Sequence, residues 1–267
     1  MDILKGLIPH PPATLVYGTD GIGKSTWGAA APNPLVISTE GGLANIDVHK
    51  TPICKDFAAV NEALSYLMTQ PHQYQTVVID TLDWLEPLIW RAVATKHGKS
   101  NIEDFGYGKG YQLAMDGWNF VLSTLDLLRE KGMAVILLAH ARVVRFNDPS
   151  SDSYDRYEPD LHKHASSRIQ EWCDQVLFCT FKVSTVRRDE GFGKERTRAV
   201  GSGDRVVYTS EMPTHLAKRR IKLPDVLPLE YAAYAKYLTP SDNGNIEGMV
   251  KGGTSKPGGN ADVKRSK

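Results

Sequence analysis

The stretch "YGTDGIGKSTWG", residues 17–28, limits what this chain can fold into more than any other. The spacing G-x-x-x-x-G-K-S/T is met by Gly18, Gly23, Lys24 and Ser25, after an apolar run and before a helical one. That is the setting the pattern needs. Glycines let the backbone curl so that successive N–H groups face one anion, and a helix N-terminus adds the positive end of its dipole. Gly18, Thr19, Asp20, Gly21, Ile22, Gly23, Lys24, Ser25 and Thr26 are therefore expected to cradle the phosphates of a nucleotide. Lys24 would neutralise the β and γ oxygens and Ser25 would ligate Mg²⁺. A coincidental glycine-rich turn is the competing account.

Short apolar runs alternate with helical patterns along the chain, the signature of a mostly parallel sheet covered by helices. Strands are expected at 13–17, 34–39, 76–80, 133–140 and 174–181, and helices at 56–68, 82–97 and 111–132. After residue 182 the pattern changes to antiparallel hairpins, with "FKVSTVRR" and "DRVVYTS" flanking a glycine-rich turn. From Thr239 the chain is rich in Gly, Ser, Asn, Pro and Lys. Such a segment buries too little apolar surface to offset its ordering entropy, so 1–239 reads as the core and 240–267 as a disordered tail.

A second acid must hold the magnesium, and Asp80, closing "TVVID", fits that role; a strand-end Asp capping the next helix is the alternative. The position of the water-activating carboxylate then separates the ATPase classes. In AAA+ machines and ABC ATPases a Glu directly follows the magnesium-binding Asp, but here Thr81 does. Instead Glu40 ends the second strand in "VISTEGG". In the RecA class the second strand lies on the far side of the third and its terminal Glu polarises the attacking water. A surface Glu at a strand end is the bland alternative. His140 closes the fourth strand, where RecA-type proteins place a polar γ-phosphate sensor; a satisfied buried His is the other reading.

Composition narrows the setting. The chain has 267 residues, ample for one α/β domain with extensions. Its cysteines, Cys54, Cys173 and Cys179, form no CxxC pair, which argues against a zinc site or a disulfide framework and for a reducing compartment. With no signal-peptide pattern and no apolar run of about 18 residues, a cytoplasmic location and no membrane partner are expected. Residues 1–140 carry 10 Lys/Arg against 14 Asp/Glu, while 182–222 carry 11 against 5. A basic block beside an acidic nucleotide domain suggests an anionic partner, although a solvated basic surface is the simpler reading.

Taken in order, "GTDGIGKST", "ISTEGGL", "VVIDTLDWL", "FGYGKGY", "VILLAHARV" and "HLAKRRIKLP" resemble phage-encoded RecA-like P-loop ATPases, the short Sak-type single-strand annealing proteins. The matching segments span residues 13–224; the glycine-tyrosine loop, the strand-four His and the Ala-Lys-Arg-Arg segment are the most particular. The resemblance implies ATP binding by Gly23, Lys24 and Ser25, magnesium at Asp80, Glu40 as base, and a core without RecA's additional terminal domains. It also implies a DNA-recombination role in a bacterial host. His140 departs from RecA's Gln at this position, so RecA's switching mechanism does not transfer intact.

RecA-like proteins bind DNA with loops that follow the third and fourth strands. The first here, 96–112, interleaves Lys96, Lys99 and Lys109 with Phe105, Tyr107 and Tyr111. Lysines contact phosphates and aromatic faces stack on bases without reading sequence; aromatics packed under the sheet edge are the alternative. The second, 141–168, reads as a long polar loop in which Arg142, Arg145, Arg156, Lys163 and Arg168 could meet phosphates, opposed by five acids between 148 and 160. Arg196, Arg198, Arg205, Lys218, Arg219 and Arg220 in the basic block could act in trans on the γ-phosphate of a neighbouring protomer.

The favoured expectation is an ATP-hydrolysing, homo-oligomeric ring or filament that binds single-stranded DNA and pairs complementary strands. A single-stranded-DNA-binding protein is a further possible partner. A P-loop phosphotransferase with 141–168 as an Arg-rich lid is the runner-up, and a helicase-like or regulatory ATPase the third.

Overall fold

In the computed structural model residues 10–149, 152–189 and 195–238 are described, with only the backbone described for 183–189 and 195–202. The tail read over 240–267 lies outside the described residues.

β-branched runs make the strands: β1 (Ala13–Gly18), β2 (Pro34–Ser38), β3 (His49–Lys50), β4 (Thr76–Asp80) and β5 (Ala134–Phe146). They are followed by β6 (Tyr154–Pro159), β7 (Gln175–Asp189), β8 (Glu195–Tyr208), β9 (Lys218–Arg219) and β10 (Val226–Pro228). The helices are α1 (Lys24–Ala29), α2 (Phe57–Thr69), α3 (Leu82–Lys96), α4 (Lys109–Glu130), α5 (Lys163–Trp172) and α6 (Tyr231–Ala235). All strands join one sheet in the order β10-β8-β7-β1-β5-β4-β2-β3, with β6 on β5 and β9 on β7. From β7 to β3 the pairs are parallel; β8 turns back antiparallel on β7 and β10 on β8. β2 thus lies on the far side of β4, as expected of the RecA class, and the chain has the RecA-like α/β P-loop fold.

Alternation along the strands builds two cores. Leu15, Tyr17, Ile37, Val77, Ile79, Val135 and Leu137 face α2, α3, α4 and α5. Their neighbours Val16, Val36, Val78, Ile136 and Leu138 face Trp27 of α1 and Tyr231 and Tyr234 of α6. Trp27 holds both tyrosines at ring-centroid distances of 5.0 and 5.4 Å. No helix among the described residues is long and apolar enough to cross a membrane, and the three cysteines are free and buried.

One expectation needs correction. The stretch 141–168 is not a long polar loop. β5 runs on to Phe146 and pairs antiparallel with β6, Ala141 facing Pro159 and Phe146 facing Tyr154, and α5 follows from Lys163. The hairpin escaped notice because its strands are half-polar, with Val143, Val144 and Phe146 spaced by arginines. The antiparallel hairpin expected after residue 182 is formed by β7 and β8, with "FKVSTVRR" continuing β7 past a register shift between Phe181 and Val183.

Candidate active site

The carboxyl ends of the parallel strands carry the expected residues to one edge of the sheet. Gly18 of β1 is in register with His140 of β5 on one side and Cys179 of β7 on the other. A Cβ on Gly18 would sit 2.2 Å from the Cys179 carbonyl oxygen, so β7 can approach only a glycine there. The loop then turns through Gly23 at φ 110°, a left-handed conformation that a side chain resists. Ile22 is wholly buried, so it serves the site through its backbone alone.

Lys24 is 5% exposed, and its Nζ donates to the carbonyls of Gly18 and Thr19 at 3.0 Å each. Burial pushes its pKa down, against the pull of Asp20, Asp83 and Asp80. Asp80 ends β4 and is 1% exposed, and among the described residues neither carboxylate oxygen has a hydrogen-bond partner. Burial raises its pKa, with the neighbouring Ser25 hydroxyl and Lys24 opposing. A buried carboxylate without donors is costly unless a cation meets it. The donor set therefore fits a hard divalent ion shared between Asp80, Ser25 and phosphate oxygens. Among the described residues no group of three or more His, Cys, Asp or Glu could hold a metal by itself.

Glu40 follows β2 and lies within electrostatic reach of His140, Asp80, Asp83 and Lys24. Burial raises its pKa, Asp80 and Asp83 add to the rise, and His140 and Lys24 oppose it. A carboxylate with a raised pKa is a stronger base. Thr39 backs this position: its hydroxyl donates to the Thr81 carbonyl at 2.7 Å and its N–H to the Asp80 carbonyl at 2.8 Å.

The sequence reading missed Asp83. It stands in the first turn of α3, and its carboxylate meets His140 Nδ1 at 2.7 Å while accepting the His140 N–H at 2.9 Å. Burial would raise the Asp83 pKa, but these bonds outweigh it and hold the carboxyl below its usual range. They in turn raise the His140 pKa. With Nδ1 fixed, Nε2 turns to Asp20 of the phosphate loop, 3.4 Å away. The spacing Asp80-x-x-Asp83 across a strand-to-helix junction was the available signal.

The cations intended for a neighbour are placed differently. Arg205 lies against its own phosphate loop, Nη1 donating to the Ile22 carbonyl at 3.3 Å. Lys218 caps α5, donating to the carbonyls of Gln170, Glu171 and Cys173 at 2.7–3.0 Å. Arg220 pairs with Asp174 at 3.0 Å, and Arg219 with Asp225 at 2.8 Å. Both Lys218 and Arg219 flank the start of β7, at the sheet edge opposite Gly18. The side chains of Arg196 and Arg198 lie outside the described residues.

The first DNA candidate is only partly open. Phe105 packs on the core and on His97 at 5.5 Å, and Tyr111 stacks on His162 at 4.3 Å and 10°. Tyr107 alone of the three is fully exposed, in a left-handed conformation at φ 48°, with Lys99 and Lys109 exposed nearby in sequence. In the second candidate Arg142 faces Asp160 at 3.7 Å, Arg145 faces Asp155 at 3.4 Å and Arg156 meets Glu158 at 2.8 Å. Arg168 donates to Asn119 at 3.3 Å, and Lys163 is exposed.

One turn beyond Asp83, Glu86 is 4% exposed, and its Oε2 accepts the His162 N–H at 2.9 Å. Burial pushes it up to about 7; the His162 N–H, Trp118 and Arg142 oppose and Asp160 assists. A carboxyl raised on folding gives stability that is complete below about pH 4.5 and lost as pH passes 7, here about 3 kcal/mol. Glu86→Gln keeps an acceptor without the charge. We expect urea denaturation at pH 8 to show it about 3 kcal/mol more stable than the parent, narrowing to under about 1 kcal/mol at pH 5. Parallel pH profiles for the two proteins would contradict this account.

A protein-family model described as an AAA domain matches residues 10–221, most of the chain and all of the site described above. The chain belongs to that AAA-domain family. Its members are P-loop nucleotide-binding proteins, and this AAA-domain chain carries Glu40 just after β2 and Thr81, not a glutamate, directly after Asp80. No curated protein sequence matches the chain. Among solved structures, the flagellar accessory protein FlaH from Methanocaldococcus jannaschii is similar at a TM-score of 0.36 and 11% identity. The alignment covers 75% of this chain and 86% of FlaH.

Proposed function

We propose that this protein is an ATP-hydrolysing, oligomeric RecA-like enzyme that binds single-stranded DNA and promotes strand annealing in phage recombination, inside the bacterial host cell. The observation that carries the hydrolytic part is the meeting of Lys24, the donor-free Asp80 carboxylate, Glu40 and His140 at one sheet edge. Lys24 and the loop N–H groups bind the phosphates, Ser25 and Asp80 hold magnesium, and Glu40 takes the proton of the attacking water. Magnesium, when bound, neutralises charge on the β and γ oxygens. His140, oriented by Asp83, presents Nε2 to the loop as a donor for the γ-phosphate.

Support for DNA binding comes from Tyr107. A large aromatic held in a left-handed conformation costs about 1–2 kcal/mol or more, and Tyr107 is fully exposed, so among the described residues it buries no surface that would offset this. Base stacking gives it a use, with Lys99 and Lys109 for phosphates. The Arg142, Arg145 and Lys163 surface is the second candidate, since exposed ion pairs such as Arg145–Asp155 are weak enough to open for a phosphate. A chain connects both surfaces to the site: Tyr111 stacks on His162, whose N–H binds Glu86, one turn from Asp83.

The test is the ATPase rate with and without single-stranded DNA, with DNA affinity across salt. Tyr107→Ala should cost about 1–3 kcal/mol of DNA affinity with little salt dependence. Lys109→Ala should lower the salt slope by about 0.7. Both should bind ATP as the parent does. Parental DNA affinity in both variants would move the interface to Arg142, Arg145 and Lys163. An ATPase indifferent to DNA would remove the DNA reading.

A further inference from the structure

We propose that Arg205 is a nucleotide-binding cation acting in cis, a clamp on the diphosphate held by its own P-loop, rather than a finger reaching a neighbour. The inference rests on reading that loop as a nucleotide site and adds to it a residue from outside the motif.

Position comes first. Arg205 Nη1 donates to the Ile22 carbonyl at 3.3 Å and stands 3.1 Å from where a Cβ on Gly23 would be. The guanidinium thus lies over the last turn of the loop, immediately before Lys24. The backbone that carries it is fixed. Arg205 is on β8 facing Phe181 of β7, its carbonyl accepts the Leu229 N–H at 3.0 Å, and the next residue, Val206, pairs with Pro228 of β10. Leu229 itself comes within 3.7 Å of the same Gly23 Cβ position, closing that flank of the loop with an apolar contact.

The side from which Arg205 arrives sets its role. β1 sits between β5 and β7 in the sheet. His140, Asp80 and Glu40 come from β5, β4 and the end of β2, all on one side of the phosphate loop, so water activation belongs there. Arg205 comes from β8, on the other side. A cation there meets the phosphates remaining in ADP rather than the transferred γ-phosphate. A guanidinium suits this task, because its planar fork of N–H donors matches paired phosphate oxygens. One N–H is engaged by Ile22, and among the described residues the others carry no hydrogen bond or ion pair. A glycine at 23 also leaves room for this contact: a Cβ there would press on the guanidinium, which would have to give by a few tenths of an ångström.

The cis and trans accounts differ in what they predict for ADP. A cis clamp on the diphosphate binds ground state and product alike, so its loss weakens ADP and ATP together and falls on KM more than on kcat. A trans finger on the γ-phosphate would lower kcat and leave ADP affinity intact. Removing a charge-assisted contact of this kind is expected to weaken binding about 10- to 100-fold.

The experiment measures Kd for ADP and ATP, with Mg²⁺, for the parent chain, Arg205→Ala and Arg205→Lys, alongside thermal melting. The expected result is Arg205→Ala weakened about 10- to 100-fold for both nucleotides and Arg205→Lys intermediate. If Arg205→Ala does not fold, Arg205→Lys alone decides. A second arm mixes Lys24→Ala with Arg205→Ala and reads ATPase activity. Subunits that complete each other in trans would regain activity on mixing, and such recovery overturns the proposal. Parental ADP affinity in the Arg205 variants overturns it too, while leaving the P-loop reading intact. A parent chain that binds neither nucleotide overturns both.

Discussion

Lys24→Ala is expected to abolish useful nucleotide binding. In the folded chain Lys24 is nearly buried, with its ammonium on two loop carbonyls and three carboxylates, Asp20, Asp83 and Asp80, raising its charge stability. Removing it leaves a loop of N–H groups without the one full positive charge at its centre. Breaking a buried, hydrogen-bonded charge contact costs about 3–5 kcal/mol, which converts to roughly 10²–10³-fold in Kd or more. Stability moves in two directions at once: the cavity destabilises, while the cost of desolvating the ammonium disappears. Lys24→Met fills the same volume without charge and separates the two effects. Titration calorimetry with ATP and Mg²⁺, run beside melting curves, checks both. ATP affinity equal to the parent's in a folded Lys24→Ala protein would show that this loop is not a phosphate site.

The phosphate loop was legible in the sequence because it is contiguous: its chemistry depends on spacing that a string preserves. Asp80 and Glu40 were legible for a different reason. Apolar runs such as "TVVID" and "PLVIST" mark strand ends, and parallel strands bring their carboxyl ends to one edge. Residues whose role depends on a second chain segment were not readable in this way. Asp83 matters because His140 is 57 residues away in sequence and 2.7 Å away in space. Arg205 is indistinguishable in the sequence from Lys218 and Arg220, and only strand order puts it on the loop while placing Lys218 under α5. Side-chain direction was equally hidden in "FGYGKGY", where neighbouring aromatics divide between Tyr107, which faces solvent, and Tyr111, which stacks on His162. The β5–β6 hairpin failed for a physical reason of its own. Its strands extend beyond the covered sheet, so the apolar alternation that marks a buried strand gives way to arginine–aspartate cross-strand pairs such as Arg145–Asp155.

Glu40→Gln should separate binding from turnover more sharply than any other change in this protein. The carboxyl is held among Asp80, Asp83, His140 and Lys24, and burial together with the two aspartates makes it a better proton acceptor than an exposed Glu. The amide has nearly the same shape but cannot take a proton from water, so the phosphate cradle is untouched while water activation is lost. The expected result is ATP affinity within about threefold of the parent and kcat lower by about 10²-fold or more, the usual range for a general base. Asp80→Asn provides the contrast. It removes charge from the buried carboxylate that faces Ser25, so its loss should appear as weakened Mg²⁺-dependent ATP binding. The parent's kcat should fall on the acid side as Glu40 becomes protonated, and that limb should lie above the range of an ordinary carboxyl because the pKa is raised. Glu40→Gln should have no such limb in its residual rate. Single-turnover hydrolysis across pH, with nucleotide affinity measured in parallel, reads all three proteins. Unchanged hydrolysis in Glu40→Gln would mean that the water is activated elsewhere. The strand-two carboxylate would then be a structural partner of His140, and this chain would stand outside the RecA mechanism despite sharing its strand order.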